Sequence, residues 1–412
     1  MRIATLQSFN TGLNGILDNQ SSVNKTQQQV SSGRRVLTPA DDPIAATKIL
    51  QLQQDQALRD QYDRNMTAAD NRLKLEDATL GSITDNLTRL KELTVKAGGG
   101  TLTITDRQAI AAEVYQIQEG LVDLFNTRDA NGEYVFAGFK GGNAPFVKND
   151  SGRYDYKGDE GQRFLTIGAS TNVATGDNGK NLFVDVEAAK NTFTTELNPL
   201  NKGTMRVSPG FVVDEEKYSE FYPDDLIITF NPESAVTPSG PNYTVRRASD
   251  NRVVEGMNNM AYSPGSDVVV AGISITLNSD PEPGDEVLMK SSPKQSITDT
   301  IFRLTAGLNT LDDNVVDSET LDILIEDTLT NLAFAQASVS EIRSQVGARL
   351  NVVENTRNLS ADVGLVNKEV LSKLSDVDFA EAVSRLSLQS FLLEAAQQSY
   401  TTISRLSLFN QL

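Results

Sequence analysis

Apolar side chains recur near both ends of the chain at alternating three- and four-residue steps, and the middle loses that period. At the start, Leu6, Phe9, Leu13, Ile16, Gln20, Val23, Gln27 and Val30 fall on one seam of the a/d type. Gln20 and Gln27 interrupt it, so an isolated helix here is expected to be marginal. A second helix is expected to begin near Pro43. Its strongest seam is Met66, Ala69, Leu73, Glu76, Leu80, Ile83, Leu87, Leu90, Thr94 and Ala97, closed by Gly98, Gly99 and Gly100. Thr105 is expected to cap a shorter helix that runs to about Phe125. Helical period returns near Ile297, and Ile325, Thr328, Leu332, Ala335, Val339, Ile342, Val346, Arg349 and Val353 form another long seam. The C-terminal segment carries two. One is Ala382, Leu386, Gln389, Leu393, Ala396, Tyr400 and Ile403; the other is Leu388, Leu392, Ala395, Ser399, Thr402, Leu406 and Phe409. A helix apolar along two stripes needs neighbours on two sides, and a single partner within the chain leaves the second stripe wet.

Between these helices the texture is that of strands. Asn131-Gly132, just before EYVFAG, is a hairpin signal because both turn positions tolerate positive φ. The runs RFLTIG, DLIITF, YTVRR, DVVVAGISITL and DEVLMK are β-prone, with Pro, Gly, Asn and Asp between them. The expected fold is therefore α+β: long N- and C-terminal helices forming a helical bundle or coiled coil, with an inserted, mostly-β central region. The expected segments are an N-terminal assembly helix and loop (1–42), the first half of a bundle with a hairpin (43–140), a β region of two subdomains (141–292), the second half of the bundle (293–376) and a C-terminal assembly helix (377–412). The seams at 66–97 and 325–353 can satisfy each other in one bundle. The terminal helices are expected to be poorly ordered alone and to fold on assembly.

The stretch SSGRRVLTPADDPIAA, residues 31–46, separates the first two helices. Gly33 is the expected left-handed stop. Asp42 is the expected N-cap and Pro43 fits the first turn, where a missing N–H costs nothing. Thr38 and Asp41 offer a second capping pair, and Arg34 and Arg35 are placed to face Asp41 and Asp42.

Composition narrows the chemistry. The 412 residues carry a net charge of −18 and contain no Cys, His or Trp. Such an acidic chain repels nucleic-acid phosphates and anionic lipid, so neither nucleic acid nor membrane is expected as a partner. Without Cys and His there is no thiol nucleophile, Ser-His pair or usual zinc site. The first seventeen residues are amphipathic and lack the continuous apolar core of a cleaved leader, and no stretch has the length of a membrane span. Any export is expected to use a route that reads no cleaved signal.

Three motif-like stretches fail on inspection. GDNGK at 176–180 has Ala174 where a phosphate loop needs its first glycine, and Asn181 follows Lys180 in place of Ser or Thr. DSGRYDYKGDE does not have calcium-loop spacing. Ser22 and Lys25 form S-x-x-K and residues 249–251 spell S-D-N, but the third β-lactamase element, K-T-G, is missing. No catalytic, cofactor or metal site is expected.

The ends carry a resemblance. SSGRRVLTPADDPIAA, with Ser32, Gly33, Asp41, Asp42 and Pro43, resembles the N-terminal signature of the bacterial flagellin family. SQVGARLN at 344–351 and DVDFAEAVSRLSLQSFLLEAAQQSYTTISRLSLFNQL resemble its C-terminal motifs. The prolines of TPADDP, the NGEYVFAGF stretch, YKGDEGQ and the LSLFNQL terminus are similar to hook-associated members more than to filament subunits. ISITLNSDPEPGDEVLM is similar to a β module of hook-associated proteins.

The resemblance implies an extracellular axial protein, exported unfolded by the flagellar type III apparatus and not an enzyme. Implied partners are copies of itself, the hook-side junction protein (hook-associated protein 1), flagellin and an export chaperone. The expected assembly interface pairs Leu6, Phe9, Leu13 and Ile16 with Leu386, Leu393, Tyr400 and Ile403. The alternatives are a filament flagellin and, from another class, a surface adhesin or glycan-binding protein acting through the β region.

Overall fold

The seams of the two longest helices account for most of the bundle core. The computed structural model describes residues 2–409 except 100–101, 150–151, 209, 264, 266, 279–280 and 312–314; side chains are undescribed also at 2–6, 8, 9, 206, 211, 278, 315–317 and 403–409. The helices are α1 (Arg2–Ser32), α2 (Pro43–Ala97), α3 (Ile104–Phe125), α4 (Glu215–Ser219), α5 (Ile297–Thr310), α6 (Val315–Ser375) and α7 (Phe379–Phe409). The chain divides into two compact units, 66–353 and a second made of 1–65 with 354–412.

In the larger unit, every position of the predicted 66–97 seam is buried, Glu76 and Thr94 included. Leu332, Ala335, Val339, Val346 and Val353 of α6 are buried as well. Arg343 Nε bonds Asp77 Oδ1 at 3.1 Å and Gln336 Nε2 bonds Thr88 Oγ1 at 3.1 Å, which sets α2 and α6 antiparallel here. α3 packs beside α5, with Gln118 Nε2 donating to Thr298 O at 3.0 Å. The N-cap of α3 is Thr103, not Thr105. Thr103 and Asp106 form a reciprocal capping box that starts the helix at Ile104, which leaves Thr105 inside the first turn.

Asn131-Gly132 does turn, with Gly132 at φ +82°. EYVFAG, however, forms no strand: its one bridge is Arg128 to Tyr134. Its apolar side chains Val135 and Phe136 enter the bundle core instead. The strands that follow are β1 (Phe146–Lys148), β2 (Tyr154–Tyr156), β3 (Phe164–Thr166), β4 (Asn172–Ala174), β5 (Glu187–Leu197), β6 (Arg206–Val207), β7 (Phe211–Val212), β8 (Leu226–Asn231), β9 (Asn242–Arg247), β10 (Met260–Ala261), β11 (Asp267–Val270), β12 (Ile273–Asn278) and β13 (Glu286–Lys294). β1–β2 and β3–β4 are small hairpins. A π-helical turn, Lys180–Val184, then drives Phe183 into the bundle, where it stacks on Phe125 at 4.1 Å and meets Phe136 edge-on at 5.1 Å.

Beyond that turn a second core begins. An antiparallel sheet β10-β9-β8-β13-β5 and another, β11-β12-β6 with β7 also on β12, share one buried cluster. β8 alternates buried and half-buried positions, the period-2 pattern of a strand with one face inward. β5 is the longest strand and the sequence gives little sign of it, because EAAKNTFTTEL mixes Ala, Lys and Glu with its Thr and Phe.

In the other unit, α1 and α7 run antiparallel. Thr26 Oγ1 donates to Gln389 Oε1 at 2.7 Å, and near the other end a Cβ on Gly12 would lie 3.2 Å from the Tyr400 ring. α2 and α6 are tied here by Asp55 with Asn367 and by Asp63 with Arg357 at 3.9 Å.

Candidate functional site

The terminal helix pair and its base are where sequence and structure concentrate unusual features. On α1 the shielded positions are Gly12, Ile16, Asn19, Val23, Thr26 and Val30, with Gln29 buried where it donates to Arg35 O; Leu13, Gln20 and Gln27 face solvent. The seam is thus rotated by one residue at alternate steps from the one expected. The cause lies in the partner helix: the Tyr400 ring needs the space that glycine leaves at position 12, and Gln389 needs the Thr26 hydroxyl. On α7, Leu386, Gln389, Leu393, Ala396 and Tyr400 are half-buried and Ala382 is buried. The side chains of Leu6, Phe9 and Ile403 lie outside the described residues.

The pair leaves much apolar surface in water. Leu388, Phe391 and Leu392 of α7 are 59%, 67% and 46% exposed, and Leu13 and Leu17 of α1 are exposed too. On the stem helices of this unit, Ile44 and Leu50 of α2 and Leu359, Leu365 and Val366 of α6 are also exposed. Exposed apolar side chains in this number on one helical unit are what an interaction face provides.

The base is built by two chain reversals stitched to each other. α1 stops at Gly33, whose φ of +69° is the left-handed region that favours glycine. Ser32 Oγ donates to Gln28 O at 2.7 Å and accepts from Arg34 N at 3.4 Å. Arg35 N donates to Ser375 O at 2.7 Å and Val377 N to Gly33 O at 3.0 Å, so the α1–α2 and α6–α7 connections form a short antiparallel bridge. The Arg35 guanidinium caps the end of α6, donating to Leu374 O at 2.9 and 3.3 Å, a favourable place for a cation at a helix C-terminus. It also reaches Asp42 Oδ2 at 3.5 Å within the same chain.

The two aspartates divide the remaining work. Asp42 Oδ1 accepts from Ala45 N at 3.0 Å and so caps α2, with Pro43 in its first turn. Asp41 organises the loop: its Oδ2 accepts from Leu37 N and Thr38 N at 3.1 and 2.9 Å, and its Oδ1 meets Lys25 Nζ at 2.6 Å. The Lys25 hydrogen bond, followed by those of the backbone, lowers its carboxyl to about 2. Lys25 is thus a structural cation of the loop, and Ser22 simply bonds back to Asp18 O. In the S-D-N stretch, Ser249 Oγ donates to Asp224 Oδ2 and Asn251 takes φ +57°, a turn held by its own neighbours.

A second junction lies in the larger unit, around the SQVGARLN motif. Arg349 grips Asp177 with two bonds of 2.6 and 3.1 Å. Asp177 N donates to Glu76 Oε1 at 3.0 Å, and Gln162 Nε2 donates to Asp177 Oδ1 at 2.7 Å. Nearby, Arg72 pairs with Asp129 at 2.9 Å, and Glu133 takes Arg163 and Arg72. The GDNGK turn is therefore the point where the inserted region is pinned to α2 and α6. Glu76 is fully buried, and burial, aided by the Asp177 charge, pushes it up to about 8. The sequence placed Glu76 and Arg349 on seams without partners, because those partners come from a loop more than a hundred residues away from either.

Among the described residues, no group of three or more His, Cys, Asp or Glu side chains is placed to hold a metal ion, and no helix is long and apolar enough to cross a membrane. These sites are surfaces and joints.

Comparison with known proteins gives the same picture end to end. The bacterial flagellin N-terminal helical region matches residues 3–140 and the bacterial flagellin C-terminal helical region matches residues 329–412. Flagellar hook-associated protein 3 of Salmonella typhimurium is 25% identical over 410 residues, 99% of either chain. The crystal structure of flagellar hook-associated protein-3 from Legionella pneumophila aligns with a TM-score of 0.54 at 28% identity, covering 79% of this chain and 98% of that one. A flagellin of Clostridium tyrobutyricum is 24% identical over 398 residues, covering 94% of this chain and 95% of its own.

Proposed function

The chain belongs to the bacterial flagellin family as an axial structural protein of the hook–filament junction type, and from that premise we propose that it joins the hook side of the flagellum to the flagellin filament outside the cell. Its partners in this reading are copies of itself, the hook-side junction protein (hook-associated protein 1) and flagellin, with an export chaperone before secretion. The observation that carries it is the apolar stripe Leu388–Phe391–Leu392, which α1 leaves uncovered.

In the assembly, the residues around Leu13, Ile16, Leu386, Leu393 and Tyr400 form the inner contact, continued by Leu6, Phe9 and Ile403. The segments 1–42 and 377–412 act as the assembly helices, and 43–140 with 293–376 as the bundle that carries the 141–292 insert. A seam containing Gly12, Asn19, Thr26 and Gln389 buries little apolar area, so pairing alone barely offsets the backbone entropy of about 1–2 kcal/mol per residue. Burying the second stripe adds roughly 1–2 kcal/mol for each large side chain. Folding of the ends and assembly then become one event, which protects the cell from premature polymerisation. Contacts between copies are heterologous, because a self-complementary patch would close into a dimer.

The test is a deletion. Cells lacking a junction protein retain hooks and shed flagellin into the medium; cells lacking a major filament protein have no filament subunit to shed. The second outcome would favour the filament reading, for which the match to the Clostridium flagellin is the supporting observation.

A further inference from the structure

One buried cation in the larger unit has no carboxylate in direct contact, although Asp299 and Asp327 act on it from further off. Arg303 on α5 is 8% exposed, yet none of its acceptors is ionised. Nη1 donates to Thr192 Oγ1 and to Gln295 Oε1 at 3.4 Å, and Nη2 donates to Phe193 O. Its guanidinium carbon lies over the Phe193 ring, 4.9 Å from the centroid. A guanidinium carries five N–H donors; these three bonds leave two, one of them on Nε, which has no partner. Among the described residues no carboxylate is within ion-pair distance of Arg303. Asp299 is taken by Arg153 at 2.9 Å, and Asp327 by Lys190 at 3.6 Å. Burial lowers Arg303 to about 10, so it remains charged at neutral pH.

Arg303 borders a cavity of about 80 Å³ enclosed by β5, the end of β7, α5 and α6. A single water needs roughly 10–15 Å³ by this measure, so a ligand of a few heavy atoms fits. Thr192, Gln295 and Asn331 supply further polar lining, Leu324 and Val212 an apolar wall, and the carboxylates of Glu215 and Asp327, both held by Lys190, also line it. Lys190, bonded to Glu215 at 3.1 Å, stands both in this cavity and in an open surface cleft beside it, which gives a way in. Water can satisfy a stray N–H; an anion does so too and adds the ionised acceptor in direct contact that the guanidinium lacks. Neutral acceptors already hold the guanidinium in place, so little order has to be created when a ligand arrives.

We propose that this cavity is a receptor for a compact carboxylate, with Arg303 as its anchor and Lys190 at its mouth. The site is independent of the assembly face and goes beyond the junction role. The probe is acetate, followed by saturation-transfer NMR on the full chain at constant ionic strength, with inorganic phosphate as the other oxyanion and chloride as the control. Acetate is expected to show saturation transfer that formate displaces and chloride does not. Arg303→Met, checked for its fold by circular dichroism, is expected to lose it. Should that variant not fold, Thr328→Met, which fills the cavity from α6 without touching the guanidinium bonds, is expected to lose it equally. No transfer to the wild-type chain, a signal unchanged in the folded variant, or preferential binding of phosphate would each overturn the proposal.

Discussion

Replacing Glu76 by Gln should change how stability depends on pH more than it changes stability itself. The carboxyl is buried between α2, the GDNGK turn and α6. One oxygen accepts from Asp177 N, and the other is buried with no partner. Asp177, Arg349 and Arg72 are the charged groups that act on it, and burial dominates, raising it from 4.5 to about 8. An acid whose folded value is raised contributes stability that is complete below its unfolded value and is lost as pH climbs towards the folded one. The window is therefore pH 4.5 to 8. At about 1.4 kcal/mol per pH unit, this one group removes roughly 3 kcal/mol between pH 5 and 7. Gln keeps the acceptor for Asp177 N and never ionises. Urea unfolding of both chains by far-UV circular dichroism at pH 5, 6, 7 and 8 measures the difference. The variant should match or slightly trail the wild type at pH 5 and exceed it by several kcal/mol at pH 8. Parallel stability profiles across that range would refute the assignment of a buried, protonated Glu76.

Three further outcomes follow from the base and the terminal helices. Leu393→Asp should leave the bundle intact by circular dichroism and abolish filament attachment; attached filaments on cells carrying only this variant would remove Leu393 from the interface. Gly33→Ala forces a Cβ into a left-handed backbone, so the end of α1 should fray at a cost of about 1–2 kcal/mol, read as faster amide exchange near residues 28–36. Asp42→Ala removes the α2 cap and should lower stability by about 0.5–2 kcal/mol in urea unfolding, whereas Asp42→Asn, which still accepts from Ala45 N, should recover most of the loss.

The long seams were legible because they are local. Ten positions at three- and four-residue steps from Met66 to Ala97 can face one way only on a helix, and all ten are buried. The loop at 31–46 was legible for the same reason: a left-handed glycine, an aspartate cap and a first-turn proline each act within a turn of their own residue. Even the wet second stripe of α7 followed from counting apolar positions. Strands fared worse where a run was interrupted. β5 was invisible, and EYVFAG reads as a strand although its Phe136 is drawn into an aromatic cluster with Phe125 and Phe183.

What tertiary structure alone decided is every choice between residues of similar polarity that lie far apart in sequence. The face of α1 that meets α7 depends on a Tyr ring needing a glycine, not on which α1 residues are most apolar. Arg35 and Lys25 each had several possible carboxylates, and proximity gave Arg35 a helix end and Lys25 an aspartate. Glu76 looked like a flaw in an apolar seam until Asp177 and Arg349 came alongside it. Periodicity is a property of the chain and can be read from it; the partner of a polar or ionisable group is a property of the packing, because only packing brings distant groups together and removes the water that would otherwise serve as the partner.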